Sequence, residues 1–355
     1  LVPKLEELTA CGHRFSGGPA EARVFFEEGM LNAFKQLSSC ASEDFPTTIY
    51  YAYKQSDADI SSGWETMLSA IIRSGFVITG TWPIRTEMPN RSIGIDANAL
   101  DTSIVLVCRK RPADAPVCTR RDFINSLKRE LKPALDKLQE SNIAPVDMAQ
   151  SAIGPGMAVY SRYSKVLEAD GQAMTIRSAL QIINQELDLY FSDQDGELDS
   201  DSRFCVDLFT QYAFNEMRFG EADVLARAKN TSVEGLVAGG VLYAQKGVVR
   251  LLTREEIPGK VDRRTIWLLT QQLTHSLEKD GIEGSAKIVA DLYTAEPERA
   301  RALAYRLYTI AERKGWATEA YAYNSLVTTW RDIQARAAEL QARQRQSEQS
   351  RLSFD

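Results

Sequence analysis

Three predicted strands and one helix between residues 45 and 111 constrain the fold of this chain more than any other feature. The segment Thr47–Tyr53 is β-branched and aromatic, with apolar side chains on both faces, which is typical of a buried parallel strand. Phe76–Trp82 predicts a second strand, and Gly75 before it is a helix stop signal. The helix between the strands is predicted from apolar residues at helical spacing: Trp64, Met67, Leu68, Ile71 and Ile72.

The two strands and their crossover helix predict a right-handed βαβ unit. Pro83 lacks a backbone donor and is expected to end the hydrogen-bond ladder of the second strand. Ser103–Cys108 predicts a third, apolar strand. Residues 84–102 are too short and irregular for another crossover helix, so this strand is expected to return antiparallel as a hairpin. Two parallel strands followed by a long antiparallel hairpin is how the methyltransferase variant of the doubly wound sheet ends.

Several segments, spread over roughly residues 18–331, also resemble a known family in their amino-acid sequence. They are similar to the C-terminal portion of the large bacterial adenine-specific DNA methylase family, whose longer members carry a zinc ribbon. The resemblance implies an S-adenosylmethionine-dependent DNA methyltransferase of a restriction or phage-defence system. The segments that carry it are GPAEARVFFEEGM, YYAYKQ, GTWPIRTEM, ANALDTSIVLVCRKRP, IGPGMAVYSRYSKVLEADG, FGEADVLARAKNTSVEGLV and RLYTIAERKGWATEAYAYNSLV.

Two segments that such an enzyme needs are missing from the sequence. Amino-methyltransferases hold the flipped base with a polar residue followed by Pro-Pro-aromatic, and here no two of the 12 prolines are adjacent. No glycine-rich turn follows a first strand, and the Gly154–Gly156 cluster is expected to be a helix-to-loop turn. The family order places both segments before Leu1, so we expect upstream residues or a partner chain to supply them and to cover the open edge of the first strand.

Charge and composition narrow the function further. The 355 residues are 44% apolar, enough for two or three domains with real cores, and no apolar run approaches the ~18 residues of a membrane span. A cytoplasmic protein is therefore expected. The five scattered cysteines form no C-x-x-C pair, so neither a zinc ribbon nor structural disulfides are predicted, and Cys108 is expected to be buried and inert. Neither His13 nor His275 predicts catalysis.

The net charge of −6 argues against binding nucleic acid through the global field, so DNA contact would come from local patches. In AVYSRYSKV, cations alternate with aromatics that suit phosphates and stacked bases; a solvated surface is the other interpretation. These residues are Tyr160, Arg162, Tyr163 and Lys165. The loop after the second strand offers groups that could hold a flipped base, unless Arg85 and Glu87 only satisfy one another. These groups are Trp82, Arg85, Glu87, Arg91 and Asn98.

Downstream of the sheet the pattern is mainly helical. Thr119 and Asp122 predict a capping box, Pro133 predicts a kink, and the acidic residues 192–202 predict an exposed linker. Residues 219–252 predict two helices and a hairpin in a winged-helix-like order, with Lys246 at the tip and Arg250 behind it as phosphate contacts. The candidate recognition helix carries Glu234 and no cation, which favours a structural or partner-binding role over base readout.

These predictions divide the chain into four domains. The first is the closing half of a methyltransferase-type (Rossmann-like) α/β sheet over residues 1–112. It is followed by a helical domain over 113–192, a winged-helix-like segment over 203–258 and a C-terminal helical domain over 259–355. The polar tail is expected to extend as a lone helix or to stay disordered. The leading hypothesis is part of an adenine-specific DNA methyltransferase; the alternative is a non-catalytic DNA- or protein-binding subunit that retains a methyltransferase-like scaffold.

Overall fold

The computed structural model describes residues 7–51, 62–85, 102–193, 198–258, 265–292 and 295–352. This part of the chain is mostly helical, with three small sheets, which agrees with an α/β region joined to mainly helical regions. By contacts it divides into two compact units, with the main division at residues 188–189 inside a helix. The sheet and nearly all of the helical residues that follow it up to that point fall in one unit, and residues 142–146 are assigned to the other.

The first sheet has three strands, β1 (Thr47–Tyr51), β2 (Phe76–Arg85) and β3 (Thr102–Lys110), in the order β1-β3-β2. Both neighbours of β3 are antiparallel to it, so β1 and β2 run parallel to each other with β3 between them. The predicted antiparallel return and the helix α2 (Ser62–Arg73) are therefore confirmed. Gly75 has φ of +94°, the left-handed conformation expected after a helix end.

Two details of the predicted strands are wrong. Pro83 does not end the ladder, because pairing continues to Arg85 opposite Thr102. A proline is tolerated here since β2 has a described neighbour on one side only. The expected burial of both faces of β1 also fails, because Thr48 and Tyr50 are exposed. The predicted end of that strand, residues 52–53, lies outside the described residues.

One face of this sheet forms the core of the first unit. Ile104, Leu106 and Cys108 of β3 are fully buried on that face, as are Leu68 and Ile71 of α2. The ring of Tyr51 meets Trp64 of α2 edge-on, with 4.9 Å between ring centroids. The long helix α1 (Gly18–Cys40), preceded by a 3₁₀ turn at Gly12–Arg14, packs against α2.

Three further helices and a small parallel sheet complete the sequence up to residue 193. Their bounds are α3 (Arg120–Glu140), α4 (Pro145–Ser161), α5 (Ile176–Asp193), β4 (Val117–Thr119) and β5 (Lys165–Leu167). The predicted cap of α3 is confirmed, since the Thr119 hydroxyl accepts a hydrogen bond from the Asp122 N–H at 3.2 Å. Helix α3 continues through Pro133 to Glu140.

The Gly154–Gly156 cluster is not a turn but lies within α4. A Cβ on Gly154 would overlap the Thr81 side chain, and one on Gly156 would sit 2.5 Å from Ile183 of α5. The two glycines therefore allow α4 to approach both β2 and α5 closely. The Ser161 hydroxyl at the end of α4 accepts a hydrogen bond from the Ile78 N–H at 2.9 Å.

The second unit begins with α6 (Ser200–Tyr212), β6 (Met217–Arg218), α7 (Phe219–Ala228), α8 (Val233–Ala238), β7 (Leu242–Gln245) and β8 (Val248–Leu251). The strands form a sheet in the order β6-β8-β7, and β7 and β8 make the predicted hairpin. Lys246 and Gly247 at its tip have φ of +52° and +81°, as a two-residue hairpin turn of type I′ requires.

Four helices follow, α9 (Ile266–Ala290), α10 (Glu296–Arg313), α11 (Ala317–Thr328) and α12 (Trp330–Leu352). Helix α9 contains a reversal at Gly281 (φ +65°, ψ −159°), after which the Ser285 hydroxyl donates to the Leu273 carbonyl at 2.9 Å. The predicted tail is helical, and its first turns pack through Ile333 and Ala337. The predicted core aromatics Trp267, Tyr305, Tyr308 and Trp330 are buried, whereas Trp316 is half-buried.

The acidic segment before α6 is not simply an exposed linker. Asp199 caps α6 by accepting from the Ser202 N–H at 2.8 Å, and its second oxygen accepts from the Ile266 N–H at the start of α9 at 3.1 Å. Ser202 is fully buried and accepts from the Trp267 N–H at 2.8 Å. The end of this acidic run therefore joins two helix N-termini, which favour negative charge.

Candidate functional site

The parallel strands β1 and β2 end at the same edge of the first sheet. Tyr51 and Pro83 both pair with Ile104 of β3, one from each side. Ligands of open α/β sheets bind outside the carboxyl ends of parallel strands. Strand β2 therefore ends, just after Trp82, at the edge of the sheet where a substrate is expected to bind.

Two large aromatic side chains lie next to this edge on the sheet face opposite the core. Tyr50 and Trp82 pair with Val105 from its two sides, and residues directly opposite in an antiparallel ladder share a face. Tyr50 is 66% exposed and Trp82 is 65% exposed, whereas Val105 between them is 4% exposed. The two rings therefore form the accessible surface of this row.

The next row of the same face leaves room for the Trp82 ring. Gly80 lies two residues before Trp82 and pairs with Val107. The indole Nε1 of Trp82 is 3.9 Å from the position that a Gly80 Cβ would occupy, so the indole extends along the strand over the glycine. A larger residue at position 80 would compete with the ring for this space.

The predicted loop site is only partly described. Trp82 is on β2 and exposed, and Arg85 is the last residue of β2, its side chain lying outside the described residues. Glu87, Arg91 and Asn98 also lie outside the described residues. Their predicted role toward a flipped base stays a prediction.

The predicted aromatic and basic cluster after α4 is largely engaged in internal contacts. Tyr160 is half-buried, donates to the Met174 carbonyl at 2.7 Å and meets Phe123 edge-on; burial raises the pKa of its hydroxyl. Arg162 forms a two-pronged ion pair with Glu130 at 2.6 and 2.9 Å, and this hydrogen bonding lowers the pKa of Glu130. The two remaining members are half-buried Tyr163 and exposed Lys165.

Of the two predicted phosphate contacts of the β7–β8 hairpin, Arg250 is held in an ion pair and Lys246 is exposed. Arg250 donates to both oxygens of Glu256 at 2.7 Å and lies over the Tyr243 ring at 4.9 Å. The hydrogen bond from Arg250 lowers the pKa of Glu256 to about 2. Lys246 is exposed at the hairpin tip. The charge of Arg250 is thus already compensated, and Lys246 is the better placed of the two for an outside anion.

Two further titratable side chains that the sequence singled out are Cys108 and His275. The predicted burial of Cys108 is confirmed, and burial raises the pKa of its thiol to about 12. His275 lies half-buried in α9. Within the described ranges, no three His, Cys, Asp or Glu side chains come together as a metal site would require. No described helix has the length and apolar character needed to cross a membrane.

A family model described as "Domain of unknown function (DUF8807)" matches residues 199–352. The matched span starts at Asp199, the N-cap of α6, and ends at Leu352, the last residue of α12. It therefore excludes the first sheet with its exposed aromatics. No curated protein and no solved structure matches the chain.

Sequence reasoning named Trp82 but missed Tyr50 as its partner on the same face. The signal was present, because Tyr50 and Trp82 occupy equivalent places near the ends of two parallel strands. The apolar residues on both faces of this segment predict a strand buried on both sides, which gives no reason to expect Tyr50 at the surface. Only the pairing of both strands with β3 puts the two rings in one row.

Proposed function

We propose that this chain is the closing part of an S-adenosylmethionine-dependent, adenine-specific DNA methyltransferase of a restriction or phage-defence system. The chain contributes the end of the sheet and a substrate-facing surface. Residues outside it, in the same polypeptide or in a partner chain, supply the base-holding and cofactor-binding segments. The family resemblance of the sequence supports this proposal, and the topology of the first sheet supports it independently.

The observation that carries the proposal is the contrast between the two outer edges of the sheet. No described strand pairs with the outer side of β1, and its five residues include no proline, charge or bulge that would protect an edge. The outer strand β2 carries Pro83, a bulge near Gly80 and a backbone N–H bonded to Ser161. The β1 edge is thus suited to a further strand, as a methyltransferase sheet requires.

The glycine cluster of this chain does not fit the cofactor turn of a methyltransferase. Gly154–Gly156, the nearest glycine cluster, lies inside α4 with its Cβ space already occupied by Thr81 and Ile183. It therefore cannot form the glycine-rich turn that follows a first strand and holds a nucleotide-like cofactor. We expect titration calorimetry of the 355-residue chain to show no micromolar binding of S-adenosylmethionine.

The proposal is tested by affinity purification of the tagged protein from its native cells. The purified material, with whatever completes the sheet, is incubated with DNA and radiolabelled S-adenosylmethionine. We expect label on the exocyclic amine of adenine, and reduced transfer in the Trp82→Ala variant. Absence of methylated adenine with any DNA substrate would contradict the proposal.

A second candidate is a non-catalytic DNA- or protein-binding subunit. It is favoured by the element order α6-β6-α7-α8-β7-β8 with sheet order β6-β8-β7, the order of a winged-helix module. Helix α8 carries no cation and Arg250 is paired with Glu256, so contact through protein or through Lys246 is the mode it supports. Specific DNA or partner binding without methyl transfer by the purified material would select this candidate.

A further inference from the structure

We infer that the exposed face of the first sheet is a stacking platform for unpaired nucleobases, with Tyr50 and Trp82 as its two rings. The inference deepens the proposed function, on which it rests for the choice of DNA. Its site is the sheet face beside the carboxyl edge of β1 and β2, on the side away from α2. The occupant is a single-stranded stretch of nucleic acid.

The arrangement of the rings suits stacked bases. Tyr50 and Trp82 lie on the two outer strands and flank Val105, so their backbones are about 10 Å apart across two strand spacings. Both rings are about two-thirds exposed, which is unusual for large aromatics within a sheet. Aromatic side chains on an open sheet face are a common means of holding unstacked bases.

The charge of the sheet favours a polyanion over an acidic or neutral protein surface. The three strands contain no aspartate or glutamate, although the chain as a whole has net charge −6. They contain three cations: Arg85, Arg109 and Lys110. Of these cations, the register places Arg109 on the face of Tyr50 and Trp82, and no carboxylate of the three strands opposes it there, which favours contact with phosphate.

Arg109 is the cation that the register places on the platform side. It lies two residues after Val107 on β3, and alternate residues of a strand share a face. Its guanidinium is exposed and donates to the main-chain carbonyls of Glu43 and Asp44 at 3.5 and 3.3 Å, not to a carboxylate. It can therefore contact a phosphate at the end of the platform away from the carboxyl edge.

The experiment is fluorescence anisotropy of a labelled 12-nucleotide single strand of deoxyadenosine, titrated with the 355-residue chain at low salt. We expect Tyr50→Ala and Trp82→Ala each to raise Kd about tenfold or more, because each removes one stacking surface. Trp82→Phe should retain most of the affinity, and Arg109→Ala should make the salt dependence shallower. Binding should also quench tryptophan emission in the wild type but not in Trp82→Ala.

The matched control is Tyr321→Ala, which removes a partly exposed tyrosine from α11 in the other unit and should leave Kd unchanged. Equal Kd values for Tyr50→Ala, Trp82→Ala and this control would overturn the platform, as would absence of strand binding by the wild type. Absence of strand binding together with capture of a polypeptide by this face would assign the surface to protein docking instead.

The platform and the proposed function can fail separately. Adenine methylation by the purified enzyme that Tyr50→Ala leaves unchanged would overturn the platform and leave the methyltransferase intact. Strand binding that depends on Tyr50 and Trp82, in a protein that never methylates DNA, would support the platform and reject the methyltransferase.

Discussion

Replacing Asp199 with alanine should destabilise two helices at once. Its carboxylate accepts from the Ser202 N–H at 2.8 Å, the Ser202 hydroxyl at 2.7 Å and the Ile266 N–H at 3.1 Å. Losing a helix cap costs about 1 kcal/mol, and leaving a partly buried donor without its charged acceptor costs about 1–3 kcal/mol more. We therefore expect Asp199→Ala to lower the opening free energy of this region by about 3 kcal/mol, and Asp199→Asn by less.

The assay is native-state hydrogen exchange followed by mass spectrometry of peptic fragments. A loss of about 3 kcal/mol corresponds to roughly a hundredfold faster exchange, seen together in fragments that cover the starts of α6 and α9. The control is Thr119→Ala, which removes the cap of α3 alone and should cost about 1 kcal/mol locally. Faster exchange confined to α6 after Asp199→Ala would refute the shared cap.

Three further predictions concern separate parts of the molecule. Glu256→Gln should lower the urea midpoint at pH 6 by an amount equivalent to about 1 kcal/mol or less, because the Glu256 carboxylate that pairs with Arg250 is well exposed. The pKa of Glu256 in the folded protein, about 2, lies below its usual 4.5, so the stability difference between wild type and variant should shrink as pH falls from 4.5 to 2. Gly154→Ala should lower the melting temperature by several degrees, as expected for a cost of about 1–3 kcal/mol, whereas Gly220→Ala, with open space around it, should not. Cys108 should react with a maleimide only after unfolding, while the exposed cysteines react in the native protein at pH 8.

Each of these has a clear contrary result. A wild-type to Glu256→Gln difference that persists at pH 2 would show that the ion pair is not its source. Equal melting temperatures for the two glycine variants would mean that α4 does not approach β2 as closely as described. Labelling of Cys108 in the folded protein would contradict its burial.

The sequence predicted helices, strands and turns correctly where nearby residues determine the backbone conformation. Strand β2, helix α2, the cap at Thr119 and the turn at Lys246 all follow from periodicity or from residues with restricted backbone conformations. Strand β3 lies between β1 and β2 in the sheet, and the order of the strands along the sequence does not specify this arrangement. The mainly helical second half was likewise predicted from its apolar spacing.

The errors all arise from contacts between residues far apart in the chain. Position 154 holds a glycine inside a helix because Thr81 leaves no room for a Cβ, and Asp199 is structural because Ile266 needs an acceptor. Neither contact leaves a local trace, so a glycine pair resembled a turn and an acidic run resembled a linker. The candidate site was half predicted for the same reason, since Tyr50 joins Trp82 only through the pairing of both strands with β3.

The central position of β3 also governs when the first sheet can assemble. Among the described strands, β1 and β2 do not pair with each other, and each pairs with β3, which is the last of the three to be synthesised. Closing β1 on β3 joins residues about 60 apart in sequence, so loop entropy opposes early pairing. During synthesis, α1 and α2 can therefore form before β1 or β2 pairs with β3, and these three strands come together only once residue 110 has left the ribosome.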